Sequence, residues 1–352
     1  MISYDLVTFG APLQERERPD LVPKGREAVV RVRRSGVCHS DLHIRAGFFD
    51  LGEDGTLDMA ARGMKLPMAM GHEVLGEVVA CGPEVADPPL GQTMLVHPWI
   101  GCGACRACDE DRENDCAKMN ALGIVRDGGY ASHILVPDVK FLVDVQGLDL
   151  SEVTPYACSG VTVYNALKKV LPIRAEETLA VIGAGGLGLN AIAIARALEV
   201  PRIVSVDVDA AKLAAAREMG ADAIVNSATA PDALAALQQA AEGKLFAVID
   251  TVGRPETARL SAMALVKTGR YCVVGLYGGT LKLPMPWFPQ KALSMMGSYV
   301  GSANDLRDLI ALVRTGKIKP LPVEERPLAE ANAALDDLEA GRVTGRIILT
   351  TD

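Results

Sequence analysis

Residues 36–43 read GVCHSDLH and crowd Cys38, His39, Ser40, Asp41 and His43 together in a chain that holds only 8 Cys and 5 His. A thiolate, two imidazoles, a hydroxyl and a carboxylate pack poorly as a core, but they suit holding a metal ion and moving a proton. Further candidate ligands lie downstream: GHE supplies His72 and Glu73, and PYACSG supplies Cys158. Cys38, His72 and Cys158 would make a two-thiolate, one-imidazole zinc site with its fourth position open, the arrangement of a catalytic rather than a structural zinc. An oxygen ligand in that position ionises more readily because the cation depresses its pKa. A hydroxyl leading to an imidazole gives the released proton a path out.

A second cluster is denser. GCGACRACDEDRENDC places Cys102, Cys105, Cys108 and Cys116 in a C-x2-C-x2-C-x7-C run. Four thiolates on a tight acidic loop can close around a tetrahedral Zn²⁺ and leave no room for substrate, so this zinc is expected to be structural. Four-Cys iron–sulfur runs are the nearest competitor, but their spacing differs and no Pro follows Cys116.

A third pattern points to a dinucleotide. GAGGLG, with Gly183, Gly185, Gly186, Leu187 and Gly188, follows the apolar run TLAVI and opens the helical stretch LGLNAIAIARAL. Its glycines suit a tight turn, close approach of a pyrophosphate and helix-on-strand packing, with the helix N-terminus facing the phosphates. Asp207 closes the next strand, RIVSVD, where a carboxylate accepts hydrogen bonds from ribose hydroxyls and repels a 2′-phosphate, favouring NAD over NADP. Lys212, one turn on, is a further candidate for the ribose.

The elements that must position these groups fall into two patterns. Up to about residue 150, short β-branched runs such as EAVVRVRRSGV and EVLGEVVACGPEV alternate with Gly and Pro, as in a barrel-like all-β unit. From about residue 160, apolar strands alternate with Ala-rich helical stretches, the signature of βαβ units and a parallel sheet. Two helical stretches and a closing strand, GRIILT, end the chain and are expected to return to the first unit. A chain of 352 residues fits two domains. The net charge of −8 argues against a nucleic-acid or acidic-membrane partner. No apolar run suits a transmembrane helix, and MISYDLVTFG has no basic region followed by an apolar one, so a cytoplasmic protein with reduced thiols is expected.

Together GVCHSDLH, GHE, the four-Cys loop, CSGVTVYNAL, GAGGLG with Asp207, VVGLYG, GSYVG and GRIIL resemble the zinc-dependent medium-chain alcohol dehydrogenases over essentially the whole chain. The resemblance implies an α/β fold in which a GroES-like catalytic domain (residues 1–159, completed by 299–352) flanks a doubly wound Rossmann domain (160–298). It implies two zincs per chain and NAD, with catalytic zinc on Cys38, His72 and Cys158 and Glu73 as a neighbouring carboxylate and candidate transient ligand. It also implies Ser40 and His43 as a proton relay and Asp41 as the partner that orients His72. His39 and Arg346 fall where the family contacts the pyrophosphate, and Val274 and Tyr299 where it holds the nicotinamide. The implied activity is reversible oxidation of a primary or secondary alcohol to an aldehyde or ketone. Cofactor domains would pair edge to edge into a homodimer or homotetramer.

Trp99, Phe48, Phe49 and Tyr299 are candidates for an apolar or aromatic substrate pocket. His97 and His133 read as structural, and Cys81 and Cys272 as core residues. The segment RAGFFDLGEDGTLDMAARGMKLPMAM is longer than compact family members carry; its acidic middle reads as a surface loop beside the pocket mouth. Two other readings stand beside the main one. A polyol dehydrogenase is disfavoured because that branch usually has Glu in place of Cys158. A catalytically silent NAD-binding scaffold is disfavoured by the intact Cys38, His72, Cys158, Ser40 and His43.

Overall fold

In a computed structural model, residues 1–351 are described. The β-branched runs of the N-terminal part pair as alternation demands. A seven-stranded sheet runs in the order Leu142–Asp144, Thr93–Val96, Glu73–Cys81, Ala28–Val37, Arg346–Thr350 and Val323–Pro327, with His133–Val136 also pairing onto Ala28–Val37. Two of its strands come from the C-terminal tail. The long strand Ala28–Val37 is its spine. Gly36 faces Glu73 on one side, and Val37 faces Ile347 on the other, both antiparallel.

The alternating half forms a six-stranded, wholly parallel sheet in the order Ala223–Asn226, Ile203–Asp207, Thr178–Ile182, Leu245–Asp250, Arg270–Val273 and Ser294–Gly297. Strand order reverses between Thr178–Ile182 and Leu245–Asp250, the place where such sheets open a ligand crevice at their C-terminal ends. Thr178–Ile182 is buried throughout, as a parallel strand covered by helices on both faces must be. The helix Ser159–Val170 packs against Gly186–Ala197 and against Ala303–Arg314. One apolar core therefore continues from Leu75 and Trp99 through Val161 and Leu167 to Leu179 and Ile192. Among the described residues no helix is long and apolar enough to cross a membrane.

The segment between the first two candidate ligands folds into a hairpin, Phe48–Asp50 against Thr56–Asp58, followed by a turn anchored by buried Met59 and Met64. Its middle is exposed. The hairpin touches the parallel-sheet half: Glu53 accepts from Lys282 at 2.6 Å, and its amide donates to Thr280 Oγ1 at 3.0 Å. Cys272 is buried as expected, but Cys81, at the end of its strand, is only half-buried. His133 is partly buried, with Nδ1 3.1 Å from Ser132 Oγ.

His97 is fully buried beside Phe141. Burial, with help from Arg307, holds its pKa down to about 3. An unfolded chain would protonate this imidazole near its ordinary value, so its contribution to stability is complete above about pH 6.5 and is lost as pH falls from there towards about 3. That loss amounts to about 1.4 kcal/mol per pH unit. In His97→Phe the fall in melting temperature between pH 7 and pH 5 should be smaller than in the wild type. Equal falls in thermal melts would show that His97 does not set the acid limb.

Candidate active site

The first thiol lies where a strand becomes a helix. Cys38 follows Ala28–Val37 and caps the helix His39–Ala46, which Gly47 ends in the left-handed conformation at φ 90°. Asp41, on the first helical turn, reaches back so that its Oδ2 accepts from the Cys38 amide at 2.9 Å. Cys158 caps the next long helix, Ser159–Val170. Both sulfurs thus lie at helix N-termini, where the positive dipole end favours a thiolate. They are 3.9 Å apart, far beyond the ~2 Å of a disulfide. His72 sits one residue before the strand Glu73–Cys81, and the donor atoms of Cys38, His72 and Cys158 all lie within 4.8 Å of one another.

All three are buried. His72 Nδ1 approaches Asp41 Oδ1 to 3.2 Å, while Nε2 has no partner. A buried imidazole nitrogen with nothing to bond is costly, and a metal ion is a group that would use it together with two thiolates. The electrostatics agree with such a donor set. The shared contact with Cys158 holds the Cys38 thiol well below its ordinary pKa and pushes Cys158 well above it. Burial opposes charge on His72, but Asp41 and Cys38 outweigh it and raise its pKa.

Glu73 is fully buried next to this trio. Burial lifts its carboxyl to about 8, although Arg346 pulls the other way from 3.1 Å. A Cβ on Gly36 would fall 2.0 Å from Glu73 Oε2, so only glycine fits opposite this carboxylate. Arg346 also donates to Val37 O at 3.3 Å, and its Nε is unpartnered. The sequence places Arg346 with the pyrophosphate contacts; in the fold its guanidinium lies between Glu73 and the Gly186 turn, where a Cβ on Gly186 would fall 3.2 Å from Arg346 Cζ.

The four-Cys loop brings the sulfurs of Cys102, Cys105, Cys108 and Cys116 within 4.8 Å of one another. Backbone amides of Cys102 and Lys118 point at Cys116 Sγ, and that of Gly103 at Cys108 Sγ. Hydrogen bonding with the Cys108 amide and side chain lowers the Cys105 pKa to about 7, whereas burial raises that of Cys108 to about 11. Amides converging on sulfur stabilise thiolates, which is what a tetrahedral cation would bind.

On the parallel sheet, Gly183 takes φ 89° in the turn after Thr178–Ile182. A Cβ on Gly188 would fall 1.8 Å from Gly183 O, while the space above Gly185 is open. Asp207 Oδ2 accepts from the Ala184 amide at 2.6 Å, and Oδ1 accepts from Val208 and Asp209, so the carboxylate is held against the glycine turn. His39 rests on Tyr277 with ring centroids 4.8 Å apart. Burial first, then the charges of Arg346 and Lys212, lower its pKa against the opposing pull of Cys38.

Between the two sheets a cleft reaches Cys38 and Cys158. Ser40, Phe49, Trp99, Leu187, Val274 and Tyr299 line it. Trp99 packs 5.5 Å from His72 and donates through Nε1 to Ala157 O. Ser40 and His43 are three residues apart on one helix and share a face, but no direct hydrogen bond joins them; His43 stacks on Phe49 at 4.9 Å. Burial keeps the His43 pKa below its ordinary value, helped by His39. Phe48 does not line the cleft. Neighbouring residues of the strand Phe48–Asp50 face opposite ways, so with Phe49 turned inward Phe48 is exposed.

Comparison with known proteins agrees with this geometry. Residues 24–147 match the alcohol dehydrogenase GroES-like domain, and residues 186–315 match the zinc-binding dehydrogenase domain. The NAD-dependent alcohol dehydrogenase of Sulfurisphaera tokodaii is 38% identical over 352 residues, 99% of either chain. The chain belongs to the zinc-binding alcohol dehydrogenase family. In structure this family member resembles the alcohol dehydrogenase of Aeropyrum pernix at TM-score 0.90 and 28% identity, covering 99% of this chain and 100% of that one. It also resembles the acetophenone reductase of Geotrichum candidum in complex with NAD, at TM-score 0.84 and 28% identity, covering 99% and 96%.

Several residues of the site lie outside the motifs. Met59 and Arg62 enter the cleft from the inserted segment. Tyr130, fully buried, donates to Asp41 Oδ2 at 2.9 Å across 89 residues of sequence. No local pattern marks that contact. Tyr130→Phe leaves a buried carboxylate oxygen one donor short and should lower stability by roughly 1–3 kcal/mol. Urea unfolding measures this, and an unchanged midpoint would show that the bond carries no weight.

Proposed function

We propose that this protein reversibly oxidises a primary or secondary alcohol to an aldehyde or ketone with NAD. In this reading the part formed by residues 1–159 and 299–352 supplies the metal donors, residues 160–298 hold the cofactor, and the substrate enters the cleft between them. The observation that carries the reading is the buried trio Cys38, His72 and Cys158 at the floor of a cleft that also reaches the glycine turn. The relatives named above support it, one of them being an NAD-dependent alcohol dehydrogenase by name.

Cys38, His72 and Cys158 would hold one zinc, and Cys102, Cys105, Cys108 and Cys116 a second. The first supplies a Lewis acid for the alcohol oxygen, and NAD supplies the hydride acceptor. The chain's own groups do the rest. The two thiolates and Asp41 balance positive charge at the site, and Asp41 orients His72 through Nδ1. Phe49 and Trp99 keep water from the reacting carbon. Ser40, in the cleft, would accept the alcohol proton while giving up its own towards His43, one turn on, which would pass it outwards. Leu187, Val274 and Tyr299, which line the cleft together, would hold the nicotinamide. His39, Arg346 with its spare Nε, and the Gly185–Gly188 turn receive the pyrophosphate, while Asp207 and Lys212 receive the ribose.

The apolar lining favours a bulky apolar or aromatic carbinol end, in keeping with the named substrate of the Geotrichum candidum enzyme. Ser294–Gly297 forms one of the two unpaired edges of the parallel sheet, which supports edge-to-edge pairing of subunits into dimers or tetramers.

NADH formation by metal-assayed protein, across short, long, aromatic and polyhydroxy alcohols with NADP alongside, tests the proposal. Turnover of apolar alcohols with NAD at two zincs per chain is expected; polyols alone being oxidised would redirect it to sugar alcohols. Cys38→Ser should abolish turnover and leave NADH binding, read by fluorescence, largely intact; undiminished activity would sink the metal assignment. Asp207→Gly should cut the preference for NAD over NADP by an order of magnitude. An unchanged ratio of kcat/KM would remove Asp207 from that role.

A further inference from the structure

The cleft has one wall that the metal and cofactor groups do not explain. Arg62 lines it together with Cys38, Cys158, Phe49 and Tyr299, and no Asp, Glu or Lys lines it with them. Its guanidinium lies 6.0 Å from the centre of the Phe49 ring and beside the Tyr299 hydroxyl, and among the described residues no carboxylate lies within ion-pairing distance. Arg45, on the neighbouring helix, shows the ordinary alternative: it pairs with both Asp336 and Glu339. The acidic groups of the hairpin that precedes Arg62 do not serve it. Asp50 and Asp58 accept from the backbone amides of Gly52 and Ala60, and Glu53 pairs with Lys282. Nor is Arg62 on a free-running loop. Its amide donates to Met59 O at 3.1 Å, and Met59, itself buried, donates to Gly47 O at 2.9 Å.

We infer that Arg62 recognises a carboxylate at the end of the substrate remote from its hydroxyl, so that the favoured alcohols are hydroxy acids with an apolar or aromatic body. A planar guanidinium meets a carboxylate through two parallel hydrogen bonds, and Arg62, exposed at the mouth of the cleft, is open to one. The body of such a substrate lies along Phe49 and Trp99 while its carbinol end reaches Cys38 and Cys158. The reaction at the carbinol is unchanged, and the product is an oxo acid. This inference rests on the dehydrogenase reading above.

Matched substrate pairs test it on the zinc-loaded enzyme with NAD: a benzyl alcohol bearing a para carboxylate against one bearing a para methyl, and an ω-hydroxy carboxylate against the primary alkanol of equal chain length. The wild type should prefer the carboxylate in kcat/KM. Arg62→Gln should cut that preference by about tenfold, the scale of a charged hydrogen bond, and Arg62→Lys should keep part of it. Added salt should erode the preference in the wild type, a measurement that needs no variant. If neutral alcohols turn over but wild type and Arg62→Gln share one carboxylate preference, this inference fails and the dehydrogenase reading stands. If no alcohol of either kind is oxidised, both fall together.

Discussion

The site depends on the register of three antiparallel strands. Ala28–Val37 pairs Gly36 with Glu73 and Val37 with Ile347, which brings Cys38, His72, Glu73 and Arg346 to the same end of one sheet. A slip of one residue on either side would turn the groups carried on the slipped strand to the opposite face. The same register solves the electrostatic difficulty of the site. Thiolates and carboxylates without water are unstable alone, and Arg346, two helix N-termini and His72 are the compensating groups placed among them. Because the register is set along long strands with apolar faces, the burial of Val30, Val32, Val74 and Ile348 holds a charged cluster in place.

The cofactor half meets this cluster through its own geometric demand. A parallel sheet whose strand order reverses must leave a crevice, and the helix Ser159–Val170, capped by Cys158, packs against the helix that follows the glycine turn. One thiol of the metal trio is therefore carried on the element that packs against the cofactor-facing helix. Asp207, bonded to Ala184 in that turn, fixes the crevice from the next strand.

Much of this is legible along the chain because the chemistry is written in short intervals. Asp41 caps Cys38 from three residues away, the four cysteines span one loop, and the glycines act within a single turn, so spacing alone carries them. Tyr130 and Arg62 were not legible. Tyr130 reaches Asp41 only after the strands are assembled, and nothing in GGYASH distinguishes it from a core aromatic. Arg62 lies in a segment whose composition suggests solvent, and only its return past Met59 turns it to the cleft. Phe48 and Phe49 show the same limit at single-residue scale: both are aromatic, and the direction of the strand decides which one faces inwards. Arg346 reads as a phosphate contact in sequence, but its ion pair with Glu73 is set by a strand pairing more than two hundred residues long in loop.

The hairpin segment has an evolutionary consequence. Its ends are pinned at Gly47 and at Met64–Met68, and Cys38 and His72 lie outside those pins. Loop-closure entropy grows only with the logarithm of length, so residues can be added to or removed from this span at small cost to the fold. The mouth of the cleft can drift in shape and charge while the donors beneath it stay fixed. A lineage built on this plan can change its diet without relearning its chemistry.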